Sequence, residues 1–159
     1  MQPPMQPPME PPTEPIESFD DLSVGQGFDF GTLVMTRAEI LDYARRFDPQ
    51  PFHVDEAAAA DGPFGGLVAS GLHTLSASFA QMIRSGFVAR ISLGGAGMEI
   101  SWPAPVRPGD VLRVTGRVEQ LTPSRSKPDR GMAKFRFRGT RESDGAEVLS
   151  VLATIFLKR

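Results

Sequence analysis

The chain has 159 residues, a length typical of a single domain. Its net charge of −2 gives no electrostatic basis for nucleic acid as a partner. It contains no cysteine, which excludes disulfides, thiolate metal sites and cysteine nucleophiles and fits a reducing cytoplasm. With two histidines and no HExxH spacing, we expect neither a metal nor another cofactor.

Proline repeats dominate residues 1–16, MQPPMQPPMEPPTEPI, which carry seven of the 15 prolines in the chain. A segment of this composition cannot bury a core, so we expect it to be disordered or polyproline-like. The sequence therefore predicts a disordered segment over residues 1–16 and one folded domain over residues 17–159.

A strand followed by a capped helix is predicted next. Residues 27–35, GFDFGTLVM, have the composition of a strand. Thr36 and Glu39 have the spacing of a capping box, in which the two residues close the first turn of a helix. Apolar residues then recur at every third position, which predicts a helix over residues 37–47.

Two residues suited to proton transfer, Asp48 and His53, follow this helix in the run FDPQPFHVDE. A carboxylate and an imidazole are the side chains that best move protons near neutral pH. Pro49 and Pro51 exclude a regular helix, so we expect a stiff, non-helical loop that holds both groups facing one pocket. The alternative is that the prolines only end a helix and that the histidine has no chemical role. This segment alone leaves both interpretations open.

Two further helices are predicted before the rest of the sheet. Asp55 is expected to cap a short helix over residues 56–60. Residues 62–83 contain no Asp, Glu, Lys or Arg, and they predict a long helix from Leu67 to Arg84 that is buried on nearly all sides. A membrane span is the competing interpretation, but polar residues interrupt the short apolar run, so we expect no membrane partner.

Four strands complete the chain, and they are predicted over residues 96–102, 110–121, 131–142 and 147–158. Alternation is clear in VLRVTGRVE and AKFRFRGTR, where basic residues face solvent and apolar residues face the core. Turn residues separate these strands, which indicates an antiparallel meander. A sheet wrapped around one long buried helix is an α+β arrangement.

Three motifs in this order resemble the MaoC-like dehydratases, a family that includes the (R)-specific enoyl-CoA hydratases. The motifs are DPQPFHVD beginning at Asp48, then FGGLVASG, then PVRPGD at residues 105–110. The resemblance covers about residues 19–158 and implies a hotdog fold, in which a curved antiparallel sheet wraps one long helix. The chain departs from the family pattern at Gln50, where Asn is usual, and at Ser70, where His is usual.

The resemblance also implies an activity, the addition of water to the 2,3 double bond of an enoyl thioester or the reverse reaction. It assigns His53 as the general base that activates the water, and Asp48 as the group that holds the water and handles the second proton. Further positions are implied to bind the substrate or to stabilise the enolate oxygen: Gly71, Gln50, Ser76 and Phe79. For Gly71, Gln50 and Phe79, a role in packing or in solvent contact remains the alternative.

The implied partners are a thioester substrate, carried by coenzyme A or by an acyl-carrier protein, and a second copy of the chain. The family implies at least a homodimer, with the site near the subunit boundary. Two other functions on the same fold compete with the hydratase. A thioesterase usually carries its carboxylate on the long helix, and residues 67–83 contain none. A non-catalytic acyl-binding subunit is expected to have lost Asp48 or His53, and both are present.

Overall fold

Five strands and four α-helices lie between residues 15 and 159 of the computed structural model, the part of the chain that the structure describes. Most of the segment predicted to be disordered, residues 1–16, therefore lies outside the described residues. A 3-10 turn at Phe19–Asp21 precedes the first strand. The elements in chain order are β1 (Gly27–Val34), α1 (Arg37–Phe47), α2 (Pro51–Val54), α3 (Glu56–Ala60), α4 (Gly71–Arg84), β2 (Ser92–Ser101), β3 (Val111–Pro123), β4 (Arg130–Arg141) and β5 (Glu147–Lys158).

The strands form one antiparallel sheet in the order β1-β3-β4-β5-β2. Strands β3, β4 and β5 are the predicted meander, and β1 and β2 occupy the two edges. Alternate residues along most of β3 and β4 are buried, because successive side chains of a strand point to opposite faces. The prediction of an α+β fold with an antiparallel meander is confirmed.

Strand β2 begins at Ser92, earlier than the prediction of residues 96–102. Its pairing with β5 shifts register between Ser92 and Gly94, and again between Gly95 and Gly97. Glycine is depleted in strands and common at such irregularities, so the sequence of this stretch does not indicate a strand. Every residue of β2 is exposed in the single chain.

Helix α4 packs one side against the sheet, where it contacts β1, β3 and β5. Its buried residues are His73, Thr74, Ser78 and Met82. Its exposed apolar residues are Leu72, Phe79 and Ile83. The prediction that this helix is buried on nearly all sides is therefore wrong for the single chain, because the sheet covers one side only. Between residues 15 and 159, no helix is long and apolar enough to cross a membrane.

Phenylalanine rings join the sheet to the segment that follows α4. The ring of Phe87 lies 4.5 Å from that of Phe28 in β1 and 5.3 Å from that of Phe135 in β4, both in edge-to-face geometry. Pairs of this kind add about 0.5–1.5 kcal/mol each beyond the burial of their area. All three rings are almost completely buried, so this cluster is the centre of the core.

Side-chain caps begin α1 and α3 at the predicted residues. The hydroxyl oxygen of Thr36 accepts from the N–H of Glu39 at 3.3 Å, and the same hydroxyl donates to the Glu39 carboxylate at 2.6 Å. The Asp55 carboxylate accepts from the N–H groups of Ala57 and Ala58 at 2.9 and 3.1 Å. These local contacts satisfy N–H groups that have no partner within their helices, and the predicted bounds of both helices are confirmed.

The segment between α1 and α3 is partly helical, so the prediction of a non-helical loop is wrong in this respect. Pro51 is the first residue of the single turn α2. Proline is tolerated there because the N–H that it lacks would have no acceptor in the first turn. The N–H of His53 donates to the carbonyl of Gln50 at 2.9 Å, and this bond fixes His53 within the turn.

Helix α4 begins at Gly71, four residues later than the predicted start at Leu67. The intervening residues are extended because their N–H groups have distant acceptors. Val68 donates to the carbonyl of Phe52 at 3.1 Å, and Ala69 donates to the carbonyl of Val106 at 2.8 Å. The first of these bonds holds the segment before α4 beside α2, and the second holds it beside Val106.

Candidate active site

Asp48 ends α1, and its carboxylate is held by two side chains. The Gln50 side-chain amide donates to Oδ1 at 2.8 Å, and the Ser70 hydroxyl donates to Oδ2 at 2.6 Å. Both donors are the positions at which the chain departs from the family pattern. The carboxylate is therefore fixed from both sides, and one of its oxygens still faces His53.

His53 is buried and its ring is oriented by a backbone carbonyl. Its Nδ1 lies 2.7 Å from the carbonyl oxygen of Val68. A carbonyl only accepts, so Nδ1 carries the hydrogen of the neutral ring and Nε2 carries the lone pair. That Nε2 lies 3.5 Å from Oδ2 of Asp48. The pair thus presents two proton acceptors to the same space.

The charge state of Asp48 results from opposing effects. Burial raises the pKa of the Asp48 carboxyl, but the hydrogen bonds from Ser70 and Gln50 and the nearby His53 outweigh it. The net result is a pKa below the ordinary value, so the group is ionised near neutral pH. A carboxylate in that state accepts hydrogen bonds and does not donate them.

The first turn of α4 offers free backbone donors next to this pair. The Ser70 hydroxyl oxygen caps the helix by accepting from the N–H of Leu72 at 3.2 Å. Within the described residues, the N–H of Gly71 has no hydrogen-bond partner. Free N–H groups at a helix start favour negative charge, because they lie at the positive end of the helix dipole.

These groups line one open cleft of about 390 Å³. It contains Asp48, Gln50, His53 and Gly71 among its lining residues. Its other lining residues are Phe52, Phe64, Val68, Ala69, Leu72, Thr74, Trp102, Pro103, Ala104, Pro105, Val106 and Val148. The cleft is mostly apolar with a few convergent polar groups, which is typical of a site for a small organic substrate.

Two of the expected substrate-binding residues lie outside this cleft. Ser76 donates to the carbonyl of Leu72 at 2.8 Å and lies in a separate depression of the α4 surface. Phe79 is partly exposed and lines a narrow apolar cavity of about 20 Å³ between α4 and the sheet. The expected set of six residues is therefore divided, with four on the cleft and two further along α4.

Two residues of the site were absent from the sequence-based set: Ser70, which is buried and bonds to Asp48, and Trp102, which lines the cleft. Serine is a favoured residue just before a helix, so a helix start placed at Gly71 would have identified Ser70 as its cap. No local pattern marks Trp102, because its contact with Gly71 joins residues 31 positions apart.

The second histidine, His73, is buried in α4 and takes no part in the cleft. Its ring stacks on that of Tyr43 at 4.8 Å, and its Nδ1 has no hydrogen-bond partner among the described residues. Between residues 15 and 159, no group of three or more His, Asp or Glu side chains is arranged to hold a metal ion.

Comparisons with known proteins show the family to which the chain is related. Residues 21–134 match the family described as the MaoC like domain. The uncharacterized protein YdeM of Bacillus subtilis is 36% identical over 109 residues, which are 68% of this chain and 77% of YdeM. A 3-hydroxybutyryl-CoA dehydratase of Methylorubrum extorquens is 31% identical over 113 residues, which are 69% of this chain and 68% of that protein. The crystal structure of a MaoC-like dehydratase from Rhodospirillum rubrum is 42% identical, has a TM-score of 0.83, and the match covers 88% of this chain and 95% of that one.

The chain belongs to the MaoC-like dehydratase family. Its five-stranded antiparallel sheet packed on one long helix is the hotdog fold that the resemblance implies. The match to the family begins just before β1 and ends within β4, so it includes both α4 and the whole segment that carries Asp48 and His53.

Proposed function

We propose that this protein is a hydratase of enoyl thioesters, and in reverse a dehydratase of 3-hydroxyacyl thioesters, with coenzyme A or an acyl-carrier protein as the carrier. The observation that carries the proposal is the pair formed by Asp48 and His53. Their Oδ2 and Nε2 atoms lie 3.5 Å apart on one cleft, and both are acceptors in their expected states.

Two acceptors this close need a donor between them. The carboxylate of Asp48 is ionised, and Nε2 of His53 has the lone pair because Nδ1 donates to the carbonyl of Val68. One water molecule can donate a hydrogen to each of them, which leaves its oxygen lone pairs directed away from both. A water oriented in this way is prepared to attack carbon, since one of its acceptors is a base of suitable strength.

The proposed reaction follows from this arrangement. His53 takes a proton from the water as the water oxygen bonds to C3 of the enoyl group. The electron pair of the 2,3 double bond moves towards the thioester carbonyl, and the oxygen becomes negatively charged beside the free N–H of Gly71. His53 then returns the proton to C2 as the carbonyl forms again. Asp48 stays ionised and stabilises the protonated imidazole between the two steps.

The competing functions are less well supported by the same residues. Helix α4 carries no carboxylate, which argues against a thioesterase that uses an acid on the long helix. A non-catalytic subunit has no need of a carboxylate that three neighbouring groups keep ionised. The retained pair Asp48 and His53, with Gln50 and Ser70 bonded to it, supports a catalytic function.

We propose that the acyl chain extends from the cleft towards Phe79. Thr74 lines the cleft and Ser78, one helical turn later, lines the narrow cavity that Phe79 also borders. The cavity is small, so a short acyl chain is expected, as in the name of the 3-hydroxybutyryl-CoA dehydratase relative. Gln50 is proposed to position Asp48, to which its side chain is bonded. The hydroxyl of Ser76 is bonded to the carbonyl of Leu72, so we assign Ser76 no contact with the acyl chain.

We also propose a homodimer that pairs the exposed edge strand β2. A long edge strand with unpaired backbone groups readily accepts a second strand. The side chains of Leu93, Met98 and Ile100 on β2 are large, apolar and at least one-third exposed. Analytical ultracentrifugation tests this, since Ile100→Lys should yield a monomer. An unchanged mass would place the interface elsewhere.

The decisive experiment measures the loss of the enoyl thioester absorbance with crotonyl-CoA as substrate. Asp48→Asn and His53→Ala should each lower kcat/KM by about 10²–10⁴-fold, the usual contribution of a positioned acid or base. Asp42→Asn, an exposed aspartate of α1, is the matched control and should keep full activity. Circular dichroism of all variants should be unchanged.

Two outcomes would contradict the proposal. If the wild type releases free thiol from acyl thioesters and hydrates none, the chain is a thioesterase. If it neither hydrates nor hydrolyses short, longer or branched enoyl thioesters but binds them, the chain is an acyl-binding subunit.

A further inference from the structure

Trp102, the only tryptophan in the sequence, is hydrogen-bonded to Gly71, the first residue of α4. It directly follows β2, and its indole is 44% exposed. The indole Nε1 nevertheless donates to the carbonyl oxygen of Gly71 at 2.9 Å, and the ring lines the cleft that holds Asp48 and His53. A large exposed aromatic ring with a specific hydrogen bond beside a cleft needs an explanation beyond core packing.

The indole lies so close to Gly71 that only glycine fits beneath it. A Cβ atom at this position would lie 2.7 Å from Cε2 of Trp102 and 2.9 Å from Cδ2 and Nε1. Real Cβ atoms do not make such short contacts. The backbone of Gly71 is helical and its φ is not positive, so its conformation does not require glycine. The indole therefore accounts for the glycine.

The position of Trp102 is fixed by the sheet. The preceding residue, Ser101, pairs with Ser150 of β5. Pro103 follows and restricts the backbone of Trp102 to extended conformations. The indole consequently connects a rigid strand end to the helix turn that carries the free N–H of Gly71, and it covers part of that turn from bulk water.

We infer that Trp102 is a positioning residue, which holds the first turn of α4 so that the N–H of Gly71 faces the thioester oxygen. This inference rests on the proposed hydratase function. The hydrogen bond and the ring contact both act on Gly71, and neither involves Asp48 or His53. Because the donor stabilises charge that develops in the transition state, a displaced Gly71 should lower kcat more than it raises KM.

A double-mutant cycle tests the contact between the two residues. Gly71→Ala in the wild-type background should lower kcat/KM strongly, since its methyl group displaces the indole. In the Trp102→Ala background the same methyl group has free space, so the additional loss should be at least about tenfold smaller, within the coupling found for residues in contact. Equal losses in both backgrounds would overturn the inference.

Trp102→Phe separates the hydrogen bond from the ring contact. Phenylalanine keeps an aromatic ring and removes the indole N–H, so kcat should fall with little change in KM and no change in the acid limb of the pH profile. A pure rise in KM, or a loss explained by a lower melting temperature, would show a merely structural role. The melting temperatures of Trp102→Phe and the wild type are the accompanying measurement.

The fluorescence of Trp102 distinguishes a failure of this inference from a failure of the proposed function. Butanoyl-CoA has no double bond to hydrate, and Trp102 is the only tryptophan that can report its binding. Addition of butanoyl-CoA to the wild type should change the emission of Trp102 with saturation. If hydration occurs but the emission is unchanged, Trp102 does not border the bound thioester and the inference fails alone. If the emission changes but no enoyl thioester is hydrated, the hydratase proposal fails, and with it the role assigned to Trp102.

Discussion

Ser70→Ala tests whether the Ser70 hydroxyl holds the Asp48 carboxylate in its ionised, oriented state. The hydroxyl donates to Oδ2 of Asp48 at 2.6 Å and accepts from the N–H of Leu72 at 3.2 Å, so the substitution removes two bonds. Loss of a helix cap costs about 1 kcal/mol. Loss of a hydrogen bond to a charged group costs about 1.5–3 kcal/mol. Because one hydroxyl makes both bonds and their effects need not add, the free energy of unfolding should fall by at least about 1.5 kcal/mol at neutral pH.

Thr36→Ala is the matched control. Thr36 caps α1 through the N–H of Glu39, and it has no contact with Asp48. Thr36→Ala also removes a bond to the Glu39 carboxylate, but that bond is exposed and adds little, so the control should lose about 1 kcal/mol and should keep its kinetics. The difference between the two variants isolates the bond between Ser70 and Asp48.

The pH dependence has a definite sign. The pKa of Asp48 is below its ordinary value of 3.8, so the bonds to its ionised form stabilise the native state above that pH. That contribution is lost as the pH falls through the native pKa, and the two variants should then become equally stable. In Ser70→Ala the pKa of the Asp48 carboxyl should be higher than in the wild type, because burial then raises it against weaker opposition.

Chemical denaturation at two pH values and an NMR titration of the Asp48 carboxyl provide the measurements. If Ser70→Ala and Thr36→Ala lose the same free energy at neutral pH and have the same Asp48 pKa, Ser70 does not stabilise the carboxylate. The account of Asp48 as an ionised acceptor would then be wrong.

Three further predictions concern stability. Phe135→Ala should lower the free energy of unfolding by about 3–5 kcal/mol in urea titrations, because its ring is fully buried; a loss below about 1 kcal/mol would contradict this core. Gly131→Ala places a Cβ atom 2.5 Å from the Phe19 ring, so the melting temperature should fall while the kinetics at low temperature stay unchanged. Burial lowers the pKa of His73 below 6.5, although the charge of Glu39 opposes this shift. As the pH falls, the unfolded chain is therefore protonated at this histidine at a higher pH than the native chain. The free energy of unfolding should decrease as the pH drops below 6.5. His73→Phe should remove that dependence, and an unchanged slope would assign it to another group.

Much of the fold could be predicted because its signals are local. The bounds of α1 follow from Thr36 and the apolar spacing within the helix, and the start of α3 follows from Asp55. Strands β3 and β4 alternate clearly because one face of each is buried. Where neighbouring residues determine the structure, the sequence pattern is sufficient.

The error at the start of α4 and the contacts missed in the site share one physical cause, which is contact between distant segments. The helix start at Leu67 was wrong because Val68 and Ala69 donate to Phe52 and Val106, and no local pattern indicates these bonds. In the site, Asp48 and His53 lie five positions apart and could be recognised as a motif. Ser70 lies 22 positions from Asp48, and Trp102 lies 31 positions from Gly71, so their contacts appear only in the folded chain.

The strand order has a consequence for how the protein is made. The two strands synthesised first do not pair with each other, since β1 pairs with β3 and β2 pairs with β5. The ribosome therefore releases β1, α4 and β2 before either edge strand has a partner. Strand β2 can dock on the sheet only after β5, which follows it by two strands, has been made.

Until β5 is made, the apolar residues of β2 have no strand beside them, and exposed apolar surface of this kind promotes association of incompletely folded chains. Trp102 directly follows β2, so its contact with Gly71 forms late as well. The cleft is therefore expected to form late in folding, and a chain that lacks most of β5 should lack it even though every residue that lines the cleft, through Val148, is present.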